Sequence, residues 1–385
     1  MRLQLRLQIS VSTMWRAIKT LQHGIVLLAC VALLACSNPG IEDHYDEYLS
    51  RLARVLERDM PDWQRGIAAN LPLRYPDTKQ RQRATEDTRL GLFDFLSLGD
   101  CDLLNLVSER NSSLGKVMSV TARYQYERML LNGLNACLDA LDSLPDDEDD
   151  VLVKIDGIRQ IKAQELPIHY WNATWGSAIF QAFFALPHPV LADEEVSGMQ
   201  PEVVESLHDY FHALSQDDAS AASADHKDSF FASSQSAERY LQPLQYHYGG
   251  RLIRSLVSAT AAIEEGTRLL EDALAERPIC YNKVPSRKAE VLNNVFIKYY
   301  VLALQPYLSR LDKEASLLLT VTHRYSPHDG AEAMPEVLAF YDTYLNLDQD
   351  NVLHKLRRAV KAHALTWNQL LRDCGMRVGG NPDSI

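Results

Sequence analysis

Three features of the chain predict an all-α fold. Apolar residues recur at spacings of three and four over long stretches, Pro closes several of those stretches, and alternating Val/Ile/Thr runs joined by hairpin turns do not recur. The expectation is a multi-helix bundle with long C-terminal helices and no sheet.

The first element precedes that bundle. Ile25–Ala35 is an apolar run of eleven residues, flanked by Arg16 and Lys19 and followed by Cys36. It is too short to span a bilayer but has the length of a secretory apolar region. Leu33-Leu34-Ala35-Cys36 resembles the lipobox of bacterial lipoproteins. That resemblance implies a signal peptide over 1–35, a diacylglyceryl group on the Cys36 thiol and an acyl chain such as palmitate on its amine. Leu27-Leu28-Ala29-Cys30 has the same pattern, but cutting there would halve the apolar region. Ser37 rather than Asp follows Cys36, which implies the periplasmic face of the outer membrane rather than the inner membrane. Met14-Trp15-Arg16 opens a conventional signal, so Met14 competes with Met1 as the start.

Residues 36–42 then read as anchor and tether, 43–376 as the helical body, and 377–385 as a flexible tail. Tyr45, Tyr48, Leu49, Leu52, Val55 and Leu56 draw the first apolar stripe. Helices follow over 85–98 and 101–109, and Val120, Tyr124, Leu131, Leu134, Leu138 and Leu141 draw a stripe that ends by Pro145. Asp146-Asp147-Glu148-Asp149-Asp150 does not fit a calcium loop; it suits the positive end of the macrodipole of a helix over 149–165. Further helices are predicted over 174–186 and 201–215.

Gln216–Ala237, rich in Ser, Ala and Asp, reads as a loop or as a linker between halves 43–215 and 238–376. Beyond it, Leu252, Leu256, Ala259, Ile263, Leu270 and Leu274 form a stripe that ends by Pro278. A long helix over 286–323 should bend at Pro306, and another covers 335–346. Leu353, Leu356, Val360, His363, Trp367, Leu370 and Cys374 draw the last stripe, near 350–374.

Charge narrows the function classes. The chain carries 39 basic and 51 acidic residues, and removal of 1–35 would leave 35 basic ones and a net charge of −16. A nucleic-acid partner or anionic lipid heads would want the opposite sign. Four cysteines remain in the body, Cys101, Cys137, Cys280 and Cys374, with no C-x-x-C pair. In an exported chain an even count favours disulfides over metal or redox motifs. Of three pairings we favour Cys101–Cys137 and Cys280–Cys374, the alternative being four buried thiols.

Several residues carry chemistry. Ser113-Leu114-Gly115-Lys116 matches the S-x-x-K nucleophile pattern of penicillin-recognising enzymes, but no K-T-G follows it and no strands are predicted to carry one. Glu205, His208 and His212 share one helix face and make half of a di-metal carboxylate pattern; a second half is missing, so no metal is assigned. Tyr170, Trp171, Trp175, Phe180, Phe183 and Phe184 form an aromatic cluster that reads first as core and second as a glycan or partner groove. His363 lies on an apolar stripe, where a hydrogen-bonded buried histidine is expected.

Glu109-Arg110-Asn111-Ser112-Ser113-Leu114-Gly115-Lys116-Val117 resembles a motif of an uncharacterised family of gammaproteobacterial lipoproteins, domain of unknown function 3080. Leu90–Leu96, Cys101, Gln305-Pro306-Tyr307-Leu308, Trp367-Asn368-Gln369-Leu370-Leu371 and Cys374-Gly375 are similar to its pattern as well. The resemblance implies the lipoprotein and helical readings and brings no activity, substrate or cofactor. The expectation is therefore a lipid-anchored binding or scaffolding protein of the cell envelope, without cofactor, meeting an envelope protein or cell-wall glycan. Glu109, Arg110, Asn111, Ser112, Ser113 and Lys116 are its candidate surface. The alternative is a cell-wall-acting serine hydrolase or acyl transferase using Ser113 and Lys116.

Overall fold

A computed structural model describes residues 40–85, 103–141, 149–198, 200–215, 230–330 and 332–376. The signal segment, Cys36, Cys101, nearly all of the helix expected over 85–98 and most of the expected 216–237 linker lie outside the described residues.

Helices dominate, and among the described residues no sheet forms; Tyr281 and Val284 make an isolated antiparallel bridge. In chain order the α-helices are α1 (Ile41–Leu56), α2 (Gln64–Asn70), α3 (Thr78–Arg81), α4 (Leu104–Asn111) and α5 (Val120–Leu141). Next come α6 (Asp149–Ala173), α7 (Ala178–Phe183), α8 (Asp193–Gly198), α9 (Gln200–Ser215) and α10 (Phe230–Glu238). The rest are α11 (Tyr248–Glu276), α12 (Arg287–Val295), α13 (Gln305–Arg324), α14 (Pro335–Tyr344) and α15 (Val352–Asp373).

The four stripes read from the sequence became α1, α5, α11 and α15. Three expectations need correction. The helix read over 149–165 runs on through Pro167 to Ala173, because packing against α5 holds a turn in which Pro167 donates no hydrogen bond. The helix read over 174–186 shrinks to α7, whose N-cap Ser177 accepts from the Phe180 amide at 3.2 Å. Residues 230–237, read as part of a linker, are helical in α10, which packs on α5 and α9.

Where a bend was expected at Pro306, the hydrogen-bond ladder changes in the stretch before the proline. Phe296–Leu304 is π-helical, and the Gln305 amide reaches back to the Tyr300 carbonyl. Widening the ladder makes room for a proline ring that would strike the preceding turn of a regular helix.

Most apolar residues gather in one core built around α11, which is buried on nearly every side. Small residues permit that. A Cβ on Gly250 would lie 2.1 Å from the Ala185 carbonyl oxygen, and one on Gly249 would lie 2.6 Å from the Phe183 ring. The expected aromatic cluster is core: Trp171, Trp175, Phe180, Phe183 and Phe184 are all buried, and Tyr170 packs partly buried against them. A second, smaller cluster joins Leu103, Val107, Tyr126, Leu130, Leu134 and Ile155, from α4, α5 and α6.

A hydrogen-bond relay ties α1, α11 and α15 together. Thr267 donates to the Ile263 carbonyl at 2.8 Å, so it receives the Nδ1 proton of His363 at 2.9 Å. His363 Nε2 is then the acceptor for the Tyr48 hydroxyl at 2.7 Å, and Trp367 Nε1 donates to Tyr48 at 3.0 Å. The expected hydrogen-bonded buried histidine is present, and burial pushes its pKa down to about 3.

At the far end of α15, Cys374 is bonded to Cys280 across 94 residues, which is the expected pairing. Closing a loop of that length removes about 4–5 kcal/mol of denatured-chain entropy. Gly375, at φ 68°, closes the helix end, where a Cβ would meet the Lys283 carbonyl oxygen at 2.4 Å. Cys137 is also disulfide-bonded.

Two outcomes follow. Gly250→Ala should lower stability by about 1–3 kcal/mol through overpacking, read from chemical denaturation. Because the His363 pKa lies below its unfolded value of 6.5, its contribution is complete above pH 6.5 and drains as pH falls towards about 3. Over that interval the residue should cost up to about 1.4 kcal/mol per pH unit, and His363→Gln should flatten the slope of melting temperature against pH.

Candidate functional site

The chemically densest place in the molecule lies between α5 and α6. In its N-terminal half α5 is buried almost all round, by α6, α9 and α10, and so cannot send its polar residues to solvent. Some find neutral partners. Arg128 donates to the Leu214 carbonyl at 3.1 Å and to Gln125 at 2.7 Å, and Tyr124 donates to Leu214 at 2.9 Å, closing the C-terminal end of α9. Tyr210 donates to the Ala173 carbonyl at 2.8 Å and receives the Thr121 hydroxyl at 2.9 Å.

The remainder form an ionic cluster. Arg123 and Glu127 stand one turn apart on α5 and meet at 2.7 Å. From α6, Lys162 Nζ lies 2.8 Å from Glu165 Oε2 and 3.2 Å from Glu127 Oε2. His169, one turn beyond Glu165, brings Nε2 to 3.8 Å from Glu127 Oε1. Pro167 lies between Glu165 and His169, where the backbone ladder loses a donor. Glu127 is 1% exposed and His169 4% exposed, so the charges meet in a medium that screens them weakly.

Their satisfaction is incomplete. The ion pairs of Glu127 lack hydrogen-bond alignment, so both of its carboxylate oxygens, and His169 Nε2, are buried without a hydrogen bond. Burial pushes the His169 pKa down to about 4, and the charges of Arg123, Lys162 and Arg110 push the same way against Glu165. The imidazole is therefore neutral at neutral pH, with an unshared electron pair on one nitrogen to offer. Carboxylate, ammonium and imidazole together can exchange protons or hold a cation; they add little as a stabilising device, since buried ion pairs roughly break even against apolar packing.

The 109–117 turn borders this cluster through Arg110, whose charge reaches both His169 and Tyr126. Locally the turn is braced. Ser112 Oγ accepts the Gly115 amide at 3.0 Å, Arg110 Nη1 donates to the Gly115 carbonyl at 3.0 Å, and the Lys116 amide reaches the Ser112 carbonyl at 3.1 Å. Gly115 is required there, because a Cβ would meet the Arg110 carbonyl oxygen at 2.3 Å. Glu109 lies on the last turn of α4, partly buried, with Asn111, Ser112, Ser113 and Lys116 exposed beyond it. No hydrogen bond joins the Ser113 hydroxyl to the Lys116 ammonium. Leu114 and Val117, 61% and 78% exposed, present an apolar tip that the sequence reading passed over.

The other metal candidate is not assembled. His208 Nδ1 lies 3.3 Å from Asp209, its ring stacks near His212 at 5.8 Å, and Glu205 is exposed. Among the described residues, the three-residue ligand group within 4.8 Å is Glu127, Glu165 and His169.

A family model described as a protein of unknown function, DUF3080, matches residues 45–378. The chain belongs to that family. The match runs from within α1 to just beyond the end of α15 and so includes the residues of both the core and the ionic cluster. No curated protein and no solved structure matches the chain.

The cluster makes a stability prediction. Glu127→Ala should cost about 3 kcal/mol by removing one of the two carboxylates that hold the buried Lys162 ammonium, and the double change Glu127→Leu with Lys162→Met should cost less than the sum of its two single changes. Urea denaturation of the single and double variants would show whether the pair is coupled.

Proposed function

We propose that the chain is an exported, lipid-anchored protein of the outer membrane's periplasmic face, acting by binding an envelope protein rather than by catalysis. The observation that carries the reading is the lipobox Leu33-Leu34-Ala35-Cys36, five residues ahead of the first helix at Ile41. The Cys280–Cys374 bond supports it, since such bonds persist in oxidising compartments. Pairing of Cys101 with Cys137 belongs to the same reading. Among the described residues no helix is long and apolar enough to cross a membrane.

Binding falls to the 109–117 turn. It combines a braced backbone with an outward apolar pair, Leu114 and Val117, beside Lys116, and rigid presentation of apolar anchors lowers the entropy cost of docking. Nothing in the geometry favours the acyl-enzyme alternative, in which Ser113 would have to meet a base.

Cells grown with labelled palmitate should label the chain, and Cys36→Ser should abolish both the label and recovery in the outer-membrane fraction. Leu114→Asp with Val117→Asp should leave the melting temperature unchanged while removing in-cell crosslinks formed at position 113. Labelling by a fluorescent penicillin that disappears in Ser113→Ala would overturn the binding reading.

A further inference from the structure

Glu127, Glu165 and His169 carry an inference that does not rest on export or on the exposed turn. Their ligand atoms lie within 4.8 Å of one another, and all three residues are buried. They come from two rigid helices packed side by side, with Glu165 and His169 one turn apart on the same face of α6. A tetrahedral ion with bonds of about 2.0–2.2 Å sets its donor atoms about 3.3–3.6 Å apart. The 3.8 Å between His169 Nε2 and Glu127 Oε1 needs only a small side-chain adjustment to reach that spacing.

A second, independent observation points at a ligand. His169 Nε2 and both Glu127 oxygens are buried without a hydrogen bond. Native structures seldom leave such atoms unsatisfied, and a bound ion is a standard reason for those that are. We propose that Glu127, Glu165 and His169 bind one divalent transition-metal ion of the zinc class, in competition with the Lys162 ammonium for the same two carboxylates.

The chemistry selects the class. An imidazole donor disfavours calcium and magnesium, which take oxygen ligands, and suits zinc or its neighbours. Two carboxylates balance a double positive charge. Three protein ligands are also the number that leaves zinc one position open. Lys162, 2.8 Å and 3.2 Å from the two carboxylates, places one positive charge where the ion would place two. Its flexible four-carbon stem lets the ammonium swing aside, and Arg123, with a side chain 20% exposed, can turn towards solvent.

The test is titration of the untagged protein with zinc(II) and, separately, manganese(II), by calorimetry and equilibrium dialysis. One equivalent of zinc should bind. Glu127→Gln and His169→Gln should each weaken binding by at least about 10–100-fold, the loss that even outer-sphere changes bring. Lys162→Met should tighten it by about tenfold, a signature that a merely structural cluster would not give. A ligand variant that fails to fold would also lose metal, so the cobalt(II) form of the unaltered protein gives a readout that needs no variant. Its visible spectrum should show intense low-symmetry bands of nitrogen and oxygen ligation without a thiolate charge-transfer band. Absence of stoichiometric binding, a spectrum like that of hydrated cobalt, binding that survives both ligand changes, or binding lost instead in His208→Ala with His212→Ala would each overturn the proposal.

Discussion

A helix buried as deeply as the first half of α11 has to be approached closely by its neighbours, and that constraint bears on the whole molecule. Its Gly249 and Gly250 admit the Phe183 and Phe184 region, while its Ser255 and Ser258 and its alanines fill positions where larger side chains would hold the other helices off. Ser255, Thr260 and Thr267 return their hydroxyls to the preceding turn of the same helix, whereas Ser258 Oγ is buried without a hydrogen bond. Once α11 is surrounded, α1, α15, α2, α7 and α13 have little freedom in where they sit. Close packing around a small-residue helix therefore sets the architecture, and the large aromatics fill what remains.

Two buried histidines in this molecule show opposite solutions to one problem. His363 has a hydrogen-bond partner on each ring nitrogen, and its relay ends at a backbone carbonyl. Such a residue contributes order and offers nothing to a ligand. His169 is buried to a similar degree among charges of both signs, yet its Nε2 has no aligned partner. Burial lowers the pKa of both, so protonation does not distinguish them. What distinguishes them is satisfaction: the first site is closed as a hydrogen-bond system and the second is not.

Much of the fold was legible because α1, α11 and α15 each carry a continuous apolar stripe in the main core, and α5 carries one that passes from the main core at Tyr124 to the small cluster at Leu134 and Leu141. His363 was readable for the same reason, as a polar residue on such a stripe. Legibility failed where a helix meets more than one neighbour. Helix α6 shows no single apolar face, since it packs on the small cluster through Ile155 and Ile158 and on the main core through Trp171 and Ala173. No single stripe therefore marked Lys162, Glu165 and His169 as buried, and the helix was read only as far as 165. Their partner Glu127 belongs to another helix, so no local spacing could announce the group. A signal did exist: Glu165 and His169 share the four-residue interval that places two ligands on one helix face. In contrast, Glu205, His208 and His212 had suitable spacing on a face that turned out to be partly exposed and unassembled. Spacing within one helix was informative only where a second helix closed over it.

Tyr48 and His363 touch across 315 residues of chain, and Cys280 waits 94 residues for Cys374. The opening helix of the body thus leans on its closing one. During synthesis the N-terminal portion emerges long before the surface that will cover it, and stays sticky for the whole of that interval. The packing of α1 is therefore complete only once α15 has been made and has closed on it.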